Sequence, residues 1–303
     1  MTDTPLLRAA TQASQDIIPI LRDTLIGRRL ASINPYMKGD GKTAFEITSI
    51  SDLSDGFIQW NLPTGNEFSD SIRSDLRVVN VPVIYKKFEV RMSDLLAWEN
   101  RKFGIGSDNS LNLVSAVTAA RKVAEQEEQM IMDGWKPDGS TYVVKGFVQA
   151  AGNTITGGSI AAAGTMYQYV VDAISALEAD TVFGDGGAYN LAITPEIKAA
   201  LLGKRYVNGD REFPAVKEIL NGGDIFTSRY LPSGTALVLP VDRTRQYFEF
   251  LNPVDHRIEF AAPKFSRLSP VEGIAYELFT PSYQRVNANG TTDAVCKITG
   301  LTA

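Results

Sequence analysis

The first half of the chain contains two stretches in which apolar residues recur at helical spacing. Residues 11–31 predict a helix within an N-terminal arm, on the stripe Ile17, Ile18, Leu21, Leu25 and Ile26. A longer helix, ending before Gly134, is predicted from the stripe Leu113, Val117, Ala120, Ala124 and Ile131. The other faces of this helix are charged, so we expect a solvated or intersubunit surface there, carried by Arg121, Lys122, Glu125, Glu127 and Glu128.

The region between these two helices has the alternating pattern of β-strands. Two short strands are predicted at 45–50 and 56–61, and the Asp55-Gly56 turn signal between them indicates a hairpin. Alternation from Val79 to Met92 predicts a long returning strand. Because Pro82 has no N–H to donate to a ladder, it indicates an edge position or a bulge, and therefore an arm that projects from the body.

The second half of the chain alternates between helical and strand patterns, which is typical of a mixed α/β unit. The small-residue segment 150–158 is interpreted as a linker into this unit. Helices are predicted at 166–177, 196–203 and 213–220, and strands at 191–194, 223–231 and 236–241. From residue 246 onwards the pattern predicts a β-rich layer, with strands at 246–252, 256–261, 273–279 and 293–300. The whole order of elements predicts an α+β fold.

The composition excludes several classes of function. The 303 residues include 30 Lys plus Arg and 35 Asp plus Glu, a net charge of −5, and no basic block suited to direct nucleic-acid binding. Cys296 is the only cysteine, so disulfides within the chain and cysteine-based metal sites are excluded. No apolar run reaches the ~20 residues of a membrane span, and Met1–Leu30 lacks the apolar core of a secretory signal. We therefore expect a cytoplasmic protein with no membrane partner.

No set of residues has the composition of an active site. His256 is the only histidine, and we interpret it as a polar strand residue because no nucleophile accompanies it. The Gly104-Ile105-Gly106 segment lacks the third glycine of a dinucleotide-binding loop and is interpreted as a turn into the long helix. The 184–187 segment offers one carboxylate, too few for a calcium loop. We predict no catalytic residues, no metal and no cofactor.

Five stretches, taken in order along the chain, match a known family. They are Arg22–Leu30, Val81–Asn100, Ala119–Gly134 with the following Lys145-Gly146-Phe147, Leu220–Leu231 and Tyr247–Phe260. In these stretches the chain resembles the encapsulin branch of the Hong Kong 97 capsid fold, which encapsulins share with the major capsid proteins of tailed phages. The resemblance implies an N-terminal arm over 1–42, an extended loop over 43–86, a peripheral domain with a spine helix over 87–153 and 247–303, and an axial domain over 154–246.

The resemblance also implies two sets of assembly residues. A loop at the axis of each capsomer would contain Lys204, Arg205, Tyr206, Asn208 and Asp210. The extended loop would contact a neighbouring subunit through Phe57, Trp60, Phe68, Arg73 and Arg77. No lysine lies between Ala44 and Tyr85, so we expect this loop to be held without the lysine–asparagine crosslink that some members form.

Two functions are compatible with this resemblance, and neither is enzymatic. The leading hypothesis is a major capsid protein whose pentamers and hexamers build the icosahedral head of a tailed virus around double-stranded DNA, without sequence-specific binding. It is favoured because the arm, extended loop and axial unit look longer than in typical encapsulins. It implies a virion assembled in the host cytoplasm, with separate scaffold, portal or decoration proteins. The alternative is an encapsulin nanocompartment that encloses an enzyme cargo.

Overall fold

A computed structural model describes residues 26–39, 43–50, 74–90, 114–179, 187–241, 247–261, 271–284, 286 and 290–302. The predicted strand at 56–61 and the Gly104-Ile105-Gly106 turn lie outside these residues. So does the predicted arm helix up to residue 25; its last residues include a 3-10 turn at Gly27–Arg29. Among the described residues, no helix is long and apolar enough to span a membrane.

The fold is α+β, as predicted. The helices are α1 Val114–Met132, α2 Phe147–Ala150, α3 Thr165–Glu178, α4 Pro195–Gly203 and α5 Glu212–Ile219. The first strands are β1 Ala44–Ile50, β2 Ser74–Asn80, β3 Val83–Val90, β4 Gly134–Trp135, β5 Val144–Lys145 and β6 Ala151–Thr156. The later strands are β7 Tyr189–Ile193, β8 Ile225–Thr227, β9 Ala236–Pro240, β10 Phe248–Phe260, β11 Val271–Tyr283 and β12 Thr292–Thr299.

The long helix α1 packs on a three-stranded antiparallel sheet with the strand order β10–β11–β3. Its contact face is made of small residues, which allow the helix to approach the sheet closely: Ala116, Ala119, Ala120, Val123 and Ala124. Gly273 on β11 lies under the ring of Phe88, where a Cβ would clash. Val117, which the predicted stripe included, is exposed instead, because the buried stripe is set by the alanines beside it.

A five-stranded mixed sheet forms the second layer, with the order β6–β12–β9–β7–β8. Its central strands β7 and β9 are buried at every residue, since both faces are covered. Leu191 and Val238 face a cluster with α3, α4 and α5, whereas Ala192 and Leu237 face a cluster around Phe147. The helices and strands predicted for this unit are present, although the strand predicted at 223–231 is reduced to β8.

The predicted linker at 150–158 is wrong, because most of it is strand β6. This strand pairs in parallel with β12, between Asn153–Thr156 and Cys296–Thr299. Gly152 is small because a Cβ there would clash with Asp293 and Thr292. The division into peripheral and axial domains stays a prediction, and β12, assigned to the peripheral part, lies in the same sheet as β7 and β9.

The predicted long strand from Val79 to Met92 is two strands in different sheets. β2 pairs with β1, from Ala44 opposite Asn80 to Ile50 opposite Ser74. β3 pairs with β11, from Val90 opposite Val271 to Val83 opposite Leu278. The break falls at Val81-Pro82, where the proline lacks an N–H for the ladder. The β1–β2 ribbon thus leaves the sheet at the proline.

Candidate functional site

The segment Ile26–Asn34, here called the arm anchor, fixes the N-terminal arm to the body. Its Leu30 and Ala31 are buried in the core around Phe147. Its backbone then runs beside β10: the Phe250 N–H donates to Ser32 O at 2.9 Å, and the Asn34 N–H donates to Phe250 O at 2.9 Å. The anchor therefore extends the sheet edge at β10.

A group of charges, here called the charge cluster, connects the arm anchor to three other elements, and its members are buried or half-buried except for Asp255, whose side chain is 45% exposed. Its members are Arg28 of the anchor, Glu127 of α1, Asp255 and His256 of β10, and Glu277 of β11. Arg28 donates Nε to Glu127 Oε1 at 2.6 Å and Nη2 to Glu127 Oε2 at 3.1 Å. Arg28 Nη2 also donates to Glu277 Oε2 at 3.1 Å, and Nη1 donates to Asp255 Oδ1 at 3.1 Å. One guanidinium thus links three carboxylates.

His256 completes the charge cluster between the same two glutamates. Its Nε2 lies 2.8 Å from Glu277 Oε2 and 3.4 Å from Glu127 Oε2. Both carboxylates are buried, with at most 1% of either side chain exposed. The cluster contains two buried carboxylates that share one arginine and one histidine, which is the arrangement that lets buried charges persist.

The environment shifts the pKa values of the cluster in ways that follow from burial and neighbours. Burial alone would lower the pKa of His256, but Glu127 and Glu277 raise it to about 9. Burial, and then the charge of Glu127, raise the pKa of Glu277 to about 7. Burial would also raise the pKa of Glu127, but His256 and Arg28 hold it below its usual range. When two carboxylates share one site, their pKa values move apart in this way, because ionising both together is unfavourable.

Glu128, next to the charge cluster, holds the arm anchor by its backbone. The Gly27 N–H donates to Glu128 Oε2 at 2.7 Å, and the Ser228 hydroxyl donates to Glu128 Oε1 at 3.0 Å. A Cβ on Gly27 would lie 2.7 Å from Ile131 Cδ1 and 2.8 Å from Glu128 Oε2, so a larger residue would displace the side chains that hold the anchor. Burial raises the pKa of Glu128, and the Gly27 and Ser228 hydrogen bonds oppose that shift.

The predicted solvated face of the long helix is therefore wrong for Glu127 and Glu128. Both residues are buried, whereas Arg121 and Lys122 are exposed and pair with Glu125. A signal for this existed in the sequence. Glu127 and Glu128 lie three and four residues after Ala124, in phase with the buried stripe. His256 lies on a strand as predicted, but its ion pairs were missed.

The β1–β2 ribbon packs on the body through its first strand. Phe45 and Ile47 contact Leu251, Val254 and Leu278 of strands β10 and β11. On the second strand, Val78 and the predicted contact residue Arg77, which lie opposite Glu46 and Ile47, are exposed. The other predicted contact residues, Phe57, Trp60, Phe68 and Arg73, lie outside the described part of the chain. A two-stranded ribbon gains little stability on its own, so its apolar surface needs a partner.

The predicted axial-loop residues come together in one surface hairpin. They are Lys204, Arg205, Tyr206, Asn208 and Asp210. The Tyr206 N–H donates to Asp210 O at 2.8 Å, and the Asn208 side chain donates to Asp210 Oδ2 at 2.6 Å. Gly209 has a positive φ of 89°, which closes the turn and leaves Val207 fully exposed at the tip.

A buried carboxylate ties this hairpin to α3. Glu212 is fully buried and accepts a hydrogen bond of 3.1 Å from the Tyr167 N–H, in the first turn of α3. A carboxylate is favoured at a helix N-terminus. Burial lowers the pKa of Lys204, although the charge of Glu212 opposes that shift. The hairpin is thus presented in a fixed conformation, and its role at a capsomer axis stays a prediction.

Known structures share this architecture. The virus-like particle from Pyrococcus furiosus is 14% identical, with a TM-score of 0.65 over 96% of this chain and 98% of that chain. The capsid of Myoviridae Phage XM1 is 14% identical, with a TM-score of 0.67 over 91% of each chain. At such low identity these likenesses show the fold alone, and that fold is the Hong Kong 97 capsid fold.

Sequence comparisons place the chain more narrowly. The Linocin_M18 family, described as the encapsulating protein for peroxidase, matches residues 4–269. A diheme-cytochrome-encapsulin shell fusion protein of Kuenenia stuttgartiensis is 27% identical over 179 residues. That match covers 59% of this chain and 45% of the relative, so the chain spans less than half of the length of that curated protein.

The fold and these matches define a shell-forming protein of the capsid and encapsulin class, which is structural and not enzymatic. Within that class, the chain belongs to the Linocin_M18 encapsulin family, because the family match extends over most of its length.

Proposed function

We propose that this chain forms the shell of a protein nanocompartment, a closed icosahedral particle that encloses a protein cargo. The observation that carries the proposal is the encapsulin family match over residues 4–269. The sequence analysis preferred a viral head and kept the nanocompartment as the alternative. The family match favours the nanocompartment. The family description names a peroxidase, and the Kuenenia relative is fused to a cytochrome. A redox enzyme is therefore the class of cargo proposed.

The exposed ribbon supports assembly by contacts between copies. Each strand has seven residues, so the described ribbon spans about 23 Å, and its exposed side includes Val78. A ribbon that leaves its own subunit can lie on the next one, and repeated head-to-tail contacts of this kind close into rings. Many weak contacts then stabilise the closed shell together.

A viral head is the second candidate, because viral capsids share this fold. The TM-score to the Phage XM1 capsid is 0.67, against 0.65 to the Pyrococcus furiosus particle. In that case the pentamers and hexamers would enclose double-stranded DNA, with scaffold, portal or decoration proteins supplied separately.

The test is to express the chain alone and to purify particles from its native source. We expect the chain alone to close into uniform shells, and the native particles to contain a redox protein, identified by mass spectrometry, with little nuclease-protected DNA. Shells that close only with a second protein, or that protect a long DNA, would reject the nanocompartment in favour of the viral head.

The role of the ribbon is tested by shortening it. The register ends with Ile50 opposite Ser74, so an Asn-Gly turn can replace residues 51–73 without disturbing the described ladder. We expect subunits that still unfold cooperatively but do not close into shells. Val78→Asp should act in the same direction, and Val143→Asp, at an equally exposed valine outside the ribbon, is its matched control. Normal shells from the shortened chain would contradict the role of the ribbon.

A further inference from the structure

The charge cluster has the donor set and the spacing of a divalent metal site. Glu127, His256 and Glu277 are all buried, and each places one ligand atom within 4.8 Å of the other two. The imidazole Nε2 lies 2.8 and 3.4 Å from the two carboxylates. Nitrogen and oxygen ligands at the usual zinc distance of ~2.1 Å lie ~3.4 Å apart in a tetrahedron. The three atoms therefore need little movement to become ligands.

Two buried atoms of the same residues have coordination capacity left. His256 Nε2 and Glu277 Oε1 have no hydrogen-bond partner of acceptable geometry, although Nε2 is in ion-pair contact with the carboxylates. A buried polar atom without a hydrogen bond is destabilising. The imidazole nitrogen and the two carboxylate oxygens face one another at ion-pair distance, so the three groups point at one place.

Arg28 occupies the position of the cation. Its Nη2 lies 3.1 Å from Glu127 Oε2 and 3.1 Å from Glu277 Oε2. With the arm docked, the guanidinium contacts both buried carboxylates, as a divalent ion bound by both would. A metal ion and Arg28 therefore compete for one place, and Arg28 belongs to the arm anchor.

We propose that Glu127, His256 and Glu277 form a divalent transition-metal site that Arg28 fills while the arm is docked, and that a metal ion fills when the arm leaves. Metal binding and arm docking are then mutually exclusive. Zn²⁺ and Co²⁺ suit the site, because one imidazole and two carboxylates are ligands that both ions accept. Mg²⁺, which requires six oxygen ligands, does not suit it.

Removing the competitor tests the site directly. We expect Arg28→Ala to bind about one Co²⁺ per subunit, with the visible absorption of tetrahedral cobalt and at least 10-fold tighter than the wild type. Arg29→Ala, which removes the exposed neighbouring arginine, is the matched control and should behave as the wild type does. Adding His256→Gln to Arg28→Ala should abolish the signal. Equal binding by the Arg28 and Arg29 variants, or binding that survives His256→Gln, would overturn the proposal.

A second experiment uses the unmodified protein and does not depend on the folding of Arg28→Ala. Because the Arg28 side chain is buried while the arm anchor is docked, we expect trypsin to cleave after Arg28 when the anchor is released. We expect excess Zn²⁺ to accelerate this cleavage several-fold, Mg²⁺ to leave it unchanged, and His256→Gln to remove the response to Zn²⁺. No acceleration by Zn²⁺, or the same acceleration in His256→Gln, would contradict the competition between the metal ion and Arg28.

Discussion

The five-stranded sheet is stabilised by apolar burial, whereas the charge cluster is stabilised by ion pairs between its charged side chains. Leu191 and Val238 in the sheet are apolar and fully enclosed, so their stabilisation is non-directional and scales with the area removed from water. In the cluster, Arg28, Glu127 and Glu277 are removed from water as charges, which is unfavourable unless every partner is present.

Apolar burial and charged burial have different roles in this subunit. The sheet can lose a methyl group and keep its shape, because neighbouring side chains relax around small changes. The charge cluster joins the arm anchor to three segments about 100 to 250 positions away in the sequence, and the loss of one partner leaves the others unpaired. The sheet thus supplies stability, and the cluster determines where the arm docks.

The largest effect is expected from Arg28→Met, which keeps the apolar stem and removes the charge. Glu127 and Glu277 would then share only His256, and breaking a buried pair of this kind costs about 4 kcal/mol. Urea unfolding of the subunit measures this loss in the free energy of unfolding. Arg29→Met is the control and should change it by less than about 0.5 kcal/mol. A loss of the same size in both variants would remove the distinction between the two regions.

The next effect is expected from Leu191→Ala in the five-stranded sheet. It removes buried methyl groups and leaves a cavity, at a cost of about 3 kcal/mol in the free energy of unfolding. Because no charge is involved, the cost should be the same at pH 6 and at pH 9. Urea unfolding at both pH values tests this, and a cost that changes with pH would show that the two regions are coupled.

A smaller effect is expected from pH. His256 has a folded pKa of about 9 against an ordinary 6.5, so its stabilisation is present below pH 6.5 and is lost as the pH rises through 9. Glu277, raised to about 7, also favours the folded state less as the pH rises from 4.5 through 7. The free energy of unfolding should therefore fall between pH 6 and 9, by on the order of 2 kcal/mol.

The control for this pH dependence is His256→Gln, which removes the titrating imidazole. Its urea unfolding should depend less on pH between 7 and 9 than that of the wild type. An unchanged slope in this variant would mean that the pH dependence arises outside the charge cluster.

The smallest effect is expected from Arg121→Ala on the exposed side of α1. Arg121 Nε lies 3.0 Å from Glu125 Oε1, but about two-thirds of the arginine side chain is exposed. Exposed pairs of this kind contribute about 0–1 kcal/mol to the free energy of unfolding, so the loss should fall in that range. A loss comparable with that of Arg28→Met would show that burial is not what makes the cluster strong.

Much of the fold follows from local patterns in the sequence. The spacing of apolar residues predicts α1, α3, α4 and β7 close to their observed bounds, because these elements each bury one regular stripe or run. β10 is predicted as two strands, since the bulges between Leu251 and Arg257 interrupt its alternation without ending the ladder. β6 is missed because Gly152 has the signature of a loop, although it is required by a close approach between strands.

The candidate site is less predictable from the sequence than the fold. The surface hairpin from Lys204 to Asp210 is predicted as one loop because its residues are adjacent in the chain, and its role at a capsomer axis stays a prediction. The charge cluster joins Arg28 to residues about 100 to 250 positions away, and charged residues are ordinarily exposed. The sequence does carry a signal for their burial, which is their position in the repeat of buried residues. Glu127 lies on the buried stripe of α1, and His256 is two residues from each of the buried strand residues Val254 and Ile258.

Cryo-electron microscopy of the purified recombinant protein is the decisive test of whether this chain is a shell subunit. We expect closed icosahedral shells of uniform diameter, in which the β1–β2 ribbon of one copy lies on the next copy. A folded, cooperatively unfolding protein that stays monomeric at high concentration would show that the chain does not build a shell.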